Sequence, residues 1–68
     1  MRTEIYEADP FSAQRGTHLA TLDTDYRFEK GDEFFIEAER GRMKVRILQV
    51  VVRVKGQSLS RELLVLRL

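Results

Sequence analysis

The side chains that could carry out chemistry are few and are poorly spaced for it. The chain has one histidine, His18, and no cysteine, which leaves no Cys–His nucleophile pair and no His/Cys cluster for zinc. Ser12, Ser58 and Ser60 lie outside any nucleophile-elbow motif. We therefore expect a protein that is not an enzyme and that uses no cofactor and no small-molecule substrate.

Carboxylates cluster around two predicted turns, where they could bind a hard cation. The cluster consists of Asp23, Asp25, Glu29, Asp32 and Glu33. A calcium loop needs oxygen ligands at its first, third and fifth positions and glycine at its sixth. Counted from Asp23, the fifth and sixth positions are Arg27 and Phe28. We expect these acids to form turns and predict no metal site.

The charges of the chain are sorted by position. Residues 1–39 carry ten acids and four bases, whereas residues 40–68 carry eight bases and one acid. This asymmetry indicates either a basic half that binds nucleic acid or strands that neutralise each other when they pair. Nine of the twelve bases are arginine, which suits phosphate recognition but is equally typical of a GC-rich bacterial or phage gene.

The length of 68 residues predicts one domain, 1–68, with a small core. Without disulfides or zinc, additional stability would have to come from oligomerisation or from a larger partner. No apolar segment has the length of a signal peptide or of a membrane span. We expect a cytoplasmic protein with no membrane contact.

Alternation of apolar and polar residues predicts strands and no convincing helix. The predicted strands are 2–8, 18–22, 33–39, 42–55 and 60–68. The apolar phase changes after Ile47, because Met43 and Val45 belong to one phase, and Leu48 and Val50 to the other. A bulge or sharp bend near 47–49 explains this change within one long strand. Turns are predicted at Asp23–Asp25, Lys30–Asp32 and Lys55–Ser58.

The third and fourth strands predict a hairpin whose register is favoured on both faces. A two-residue loop at Arg40-Gly41 would place Glu39 opposite Arg42 and Glu37 opposite Lys44, as a ladder of exposed ion pairs. The same register brings the apolar residues of the two strands together on the other face. A longer turn with Gly41 as a bulge residue is the alternative.

These elements predict an all-β fold: a small antiparallel barrel of four to five strands, with one bent long strand and little or no helix. Over Phe28–Val54, the order of turn, strand, tight turn and bent strand resembles the architecture of SH3-like small barrels. The resemblance implies a binding scaffold. Such barrels serve protein, nucleic-acid and assembly roles, so it does not assign a partner.

Apolar residues on the faces opposite the expected core are candidates for protein contact. They are Val51, Leu63 and Val65, together with Phe35, which breaks the alternation of its strand. If the closing strand is an edge, it could pair with another protein or with a second copy. Alternatively, its two apolar faces mean only that the strand is enclosed. We expect a non-catalytic binding or assembly module that acts through protein contacts.

Binding of RNA or single-stranded DNA is the alternative function. Its candidate residues lie in the basic half: Arg42, Lys44, Arg46, Arg53 and Lys55. An aromatic ring such as that of Phe35 could stack on a base beside these cations. The predicted ion-pair ladder would neutralise Arg42 and Lys44, however, so protein is the preferred partner.

Overall fold

A computed structural model describes residues 1–12, 14–39 and 41–68. It is all-β, as the sequence predicts. The five strands are β1 (Arg2–Ala8), β2 (Arg15–Asp23), β3 (Glu33–Ala38), β4 (Gly41–Lys55) and β5 (Ser58–Arg67). They form one sheet in the order β2-β1-β5-β4-β3, curled into a half-barrel. Within the described ranges, no helix is long and apolar enough to cross a membrane.

The sheet is mixed, so the prediction of a purely antiparallel barrel is wrong in one pairing. β1 and β5 run parallel, from Arg2 opposite Ser60 to Glu7 opposite Val65, whereas the other three pairings are antiparallel. The reason is the connection 24–32, which crosses from β2 at one edge to β3 at the other edge. Two tight reversals then return β5 to the middle of the sheet, in the direction of β1.

The core lies on the inner face of the half-barrel. Its fully buried members are Ile5, Val45, Ile47, Leu63 and Val65, and partly buried side chains, including Phe28 and Phe34, pack against them. Leu63 and Val65 were expected on a contact surface and at an edge. That expectation is wrong, because β5 is the central strand and is flanked by β1 and β4. β5 is instead paired on both sides, and its consecutive apolar residues Leu63, Leu64 and Val65 are buried.

The predicted bulge is present in β4. Ile47 lies opposite Val65, but Gln49 lies opposite Leu64, so Leu48 is an extra residue in the ladder. The insertion changes the side-chain phase, and Val50 therefore packs on the same core face as Ile47. This single residue lets a strand of 15 residues pair with β5 along most of its length and with β3 only at its beginning.

The register of the β3–β4 hairpin differs by two residues from the prediction. Glu37 lies opposite Arg42 and Ala38 opposite Gly41, so the chain reverses between Ala38 and Gly41; the predicted loop residue Arg40 lies outside the described residues. Gly41 begins β4 with a φ of 131°, a conformation that glycine adopts readily. A shift by two keeps every side chain on its predicted face but changes every cross-strand partner.

Candidate functional site

The second half of β4 lacks a neighbour on one side. β3 pairs with β4 only as far as Arg46, and the next contact is made by Gly31 and Asp32, which bond the backbone of Ile47. Beyond that point, no strand in the described part of the chain pairs with this side of Gln49–Lys55. We call this side of Gln49–Lys55 the open edge.

Backbone groups at the open edge can be assigned from their alternation along the strand. The Ile47 amide donates to the Asp32 carbonyl at 2.9 Å, and the Ile47 carbonyl accepts from the Gly31 amide at 2.8 Å. Because the inserted Leu48 shifts the alternation by one, Val50, Val52 and Val54 direct their N–H and C=O groups to the same side. The open edge therefore offers three donors and three acceptors to another strand.

Apolar side chains accompany these backbone groups. Val52 is 56% exposed and Val54 is 71% exposed, and both lie on the inner face of the sheet. Leu59, which is opposite Val54 on β5, is 51% exposed. A groove of about 640 Å³, lined by Phe28 and Leu48 among others, adjoins the start of the open edge. Exposed valines beside unpaired backbone groups are typical of a strand that accepts a partner.

The four predicted protein-contact residues are not brought together. Leu63 and Val65 have no exposed surface, so no partner can contact them in the folded protein. Val51 is partly buried opposite Glu62, on the outer face of the sheet. Phe35 is 53% exposed on the same face, but it lies on β3 at the edge of the sheet.

None of Val52, Val54 and Leu59 was singled out from the sequence as a contact residue. The available signal was a difference in length, because the alternation of the fourth strand continues well past the end of its predicted partner on the third strand. A strand that extends beyond the end of its neighbour exposes both an edge and the side chains that the neighbour would have covered.

The predicted basic stripe is partly neutralised, although by a different acid than expected. Glu33, and not Glu37 or Glu39, forms the ion pairs of this hairpin among the described residues: its carboxylate lies 2.7 Å from Arg46 Nη2 and 3.3 Å from Lys44 Nζ. Hydrogen bonds from Arg46 and then from Lys44 lower the pKa of Glu33. The predicted pairing of Glu37 with Lys44 is wrong because of the register shift.

Two cationic side chains lie close to the ring of Phe35. The Arg42 guanidinium carbon lies 5.0 Å from the ring centroid, and Lys44 Nζ lies 5.9 Å from it. Both distances fall within the range of cation–π contacts. A base that stacked on Phe35 would have to displace Arg42, so the geometry does not favour an aromatic platform for nucleic acid.

The other two basic candidates are Arg53 and Lys55, at the far end of β4. Arg53 Nε lies 3.0 Å from a Glu62 oxygen, which also binds Arg15 at the same distance. Lys55 is exposed at the turn. The structure thus places two exposed cations beside the open edge, on the opposite face from Val52 and Val54, and one of them shares the carboxylate of Glu62 with Arg15.

A second polar network lies on β1 and β2 and contains the only histidine. Glu4 Oε2 lies 2.7 Å from His18 Nε2 and accepts a hydrogen bond from the Thr21 hydroxyl, while Arg2 Nε donates to Oε1 at 2.7 Å. Hydrogen bonds from Thr21, Arg2 and His18, in that order, lower the pKa of Glu4 to about 2. The groups satisfy one another, and the arrangement is that of a structural cluster.

Comparison with protein-family models, with curated proteins and with solved structures finds no match for this chain. Within 1–12, 14–39 and 41–68, no group of three His, Cys, Asp or Glu residues is placed to hold a metal ion. The open edge is the feature of the described structure that indicates a molecular contact most directly.

Proposed function

We propose that this protein is a non-catalytic binding or assembly module that contacts another polypeptide through the open edge of β4. The observation that supports the proposal is the coincidence of unpaired backbone groups at Val50, Val52 and Val54 with exposed apolar side chains at Val52, Val54 and Leu59. A folded protein gains little from keeping such an edge in water, because both features favour pairing with a further strand.

Strand addition is the mode of contact that fits this edge. An extended segment laid beside Gln49–Lys55 would exchange main-chain hydrogen bonds with alternate residues, and these bonds supply affinity without depending on sequence. Its inward side chains would cover Val52 and Val54, which supplies selectivity for apolar residues at every second position. The predicted mode of contact is thus retained, but it moves from β5, which is central, to β4.

The SH3-like assignment and the cytoplasmic location stay predictions from the sequence. What supports the former is the long β4, which bends at Leu48 and is shared between β3 and β5. What departs from a simple antiparallel barrel is the parallel pairing of β1 with β5.

The experiment that tests the proposal selects peptides from a random displayed library on the protein and maps their binding by NMR. We expect selected peptides to alternate apolar residues and to shift the amide signals of 49–55. Val54→Pro should abolish binding, because it removes an N–H at the open edge and leaves the β4–β5 ladder intact. Val54→Ala keeps this N–H and should retain most of the binding.

Selected peptides that bind elsewhere, or that bind Val54→Pro as well as the wild type, would contradict the proposal. Nucleic-acid binding is the competing outcome. If labelled single-stranded RNA or DNA binds at physiological salt, and Arg42→Ala removes this binding while Val54→Pro does not, the functional surface is the basic stripe of Arg42, Lys44 and Arg46.

A further inference from the structure

We infer that the occupant of the open edge is the open edge of a second copy of this chain, paired antiparallel about a two-fold axis at Val52. The inference rests on the proposed function and names its partner. It follows from three properties of Gln49–Lys55: the alternation of its backbone groups, the distribution of its side chains and the space beside it.

The alternation of backbone groups is self-complementary about Val52. In an antiparallel pair, residues that lie directly opposite each other must both direct their backbone groups to the partner, or both away from it. With Val52 on the axis, Val52 faces its own equivalent, and Val50 of each copy faces Val54 of the other. These are the three residues whose N–H and C=O groups point to the open edge, so all of these groups are satisfied at once.

The side chains on the inner face fit the same arrangement. Valines meet only valines there, and Leu59 of each copy extends the apolar surface beside Val54. Pairing therefore places the exposed side chains of Val52 and Val54 in contact with valines of the other copy. The match is between identical surfaces, as a two-fold interface requires.

The outer face of the paired strands contains no opposed like charges. Val51 of one copy would lie opposite Arg53 of the other, and Gln49 would lie opposite Lys55. Arg53 already forms an ion pair with Glu62 at 3.0 Å within its own chain, which it shares with Arg15. The two Lys55 side chains lie at opposite ends of the pairing, so their repulsion is small.

The space beside the open edge matches the length of the Gln49–Lys55 segment that would fill it. On one side it is bounded by Gly31 and Asp32 at Ile47, and on the other by the turn after Lys55. An incoming Gln49–Lys55 segment occupies the interval between these limits. If β3 began earlier in the chain, it would occupy this interval itself.

The exposed edge of β3 does not offer the same self-complementarity. Alternation from the β3–β4 ladder directs the backbone groups of Glu33, Phe35 and Glu37 to that edge. Antiparallel pairing about Phe35 would place Glu37 of one copy opposite Glu33 of the other, which already pairs with Lys44 and Arg46, so the flanking pairs are charged and not apolar. This comparison favours β4 as the edge that meets its own equivalent.

Single-cysteine variants test this register, because the chain has no native cysteine. At the axis, the two Val52 Cα atoms would be about 5.5 Å apart, within the range of a disulfide. The two Val54 Cα atoms would be about 14 Å apart, because they are offset by four residues along the paired strands. We expect Val52→Cys to form a covalent dimer under mild oxidation. Val54→Cys, which is on the same edge and is more exposed, is the matched control and should not.

Sedimentation of the wild-type chain completes the test. We expect a concentration-dependent species of twice the chain mass of 8.0 kDa, which Val54→Pro should dissociate. A wild type that stays monomeric at hundreds of micromolar, or equal cross-linking of Val52→Cys and Val54→Cys, would overturn the inference. If the monomer still binds selected peptides at 49–55, the proposed function stands and the partner is another protein. If it does not bind them, both fail.

Discussion

The guanidinium of Arg61 lies 5.1 Å from the centroid of the Phe28 ring, inside the half-barrel. Arg61 is 7% exposed and donates hydrogen bonds to the Thr3 hydroxyl at 2.8 Å and to the carbonyls of Thr24 and Tyr26. The connection 24–32 carries no strand, so these bonds from β5 hold its first part against the sheet, while Gly31 and Asp32 hold its end at Ile47. One buried cation thus joins both halves of the fold.

Replacing Arg61 with alanine should destabilise the protein by about 3 kcal/mol, since hydrogen bonds to a buried charged group are lost together with a cation–π contact. Urea unfolding of Arg61→Ala measures this cost. Arg53→Ala removes an exposed arginine from the same hairpin and should cost less than about 1 kcal/mol. Equal costs for the two variants would show that Arg61 does not hold the connection.

Burial separates the two classes of apolar residue on the β4–β5 hairpin. Leu63→Ala should cost about 2–5 kcal/mol, because Leu63 is fully buried and its truncation leaves a cavity. Val54→Ala should change the stability of the monomer by less than about 0.5 kcal/mol, because Val54 is 71% exposed. Thermal unfolding at low protein concentration measures both. A Leu63→Ala variant as stable as the wild type would contradict the placement of Leu63 in the core.

The lowered pKa of Glu4 predicts a specific loss of stability in acid. A carboxylate whose pKa is about 2 in the folded protein and near 4.5 when unfolded stabilises the fold above pH 4.5. This contribution disappears as the pH falls from 4.5 toward 2. The stability difference between wild type and Glu4→Gln should therefore shrink over this interval, as measured by urea unfolding at several pH values.

A matched variant identifies the cause of that pKa. Thr21→Val removes the hydroxyl that is the main cause of the shift and keeps the shape of the side chain. The carboxyl carbon of Glu4, followed by NMR, should then titrate at a higher pH. Titration unchanged at about 2 would contradict the geometry of the cluster.

Glu33 forms ion pairs with two cations of the basic stripe, and its removal should make their charges available to an anionic ligand. Glu33→Gln leaves Lys44 and Arg46 without their carboxylate, so non-specific affinity for single-stranded DNA should rise at low salt, with a steeper salt dependence. Fluorescence anisotropy measures the change. Glu37→Gln, on the same face of β3, should raise the affinity less, and a larger effect at Glu37 would support the register first predicted.

Much of this fold is determined locally, and such features could be predicted from the sequence. Alternation identified the strands, because a strand exposes its side chains to opposite faces with a period of two. The change of phase after Ile47 indicated the bulge, since an inserted residue exchanges the two faces of a continuous strand. Turn residues at Lys30–Asp32 indicated where β3 begins, and those at Lys55–Ser58 indicated where β4 reverses into β5.

Only the tertiary structure decided the register of Glu37 with Arg42, the central position of β5 and the open edge of β4. A period of two cannot distinguish registers that differ by two residues, since both keep Phe34 and Ile36 on the core face. The order of strands depends on the path of the connection 24–32, which is set by long-range contacts such as that of Arg61 with Phe28. An edge is defined by which neighbour is missing, and the unequal lengths of the third and fourth strands indicate one only when the remaining neighbours are known.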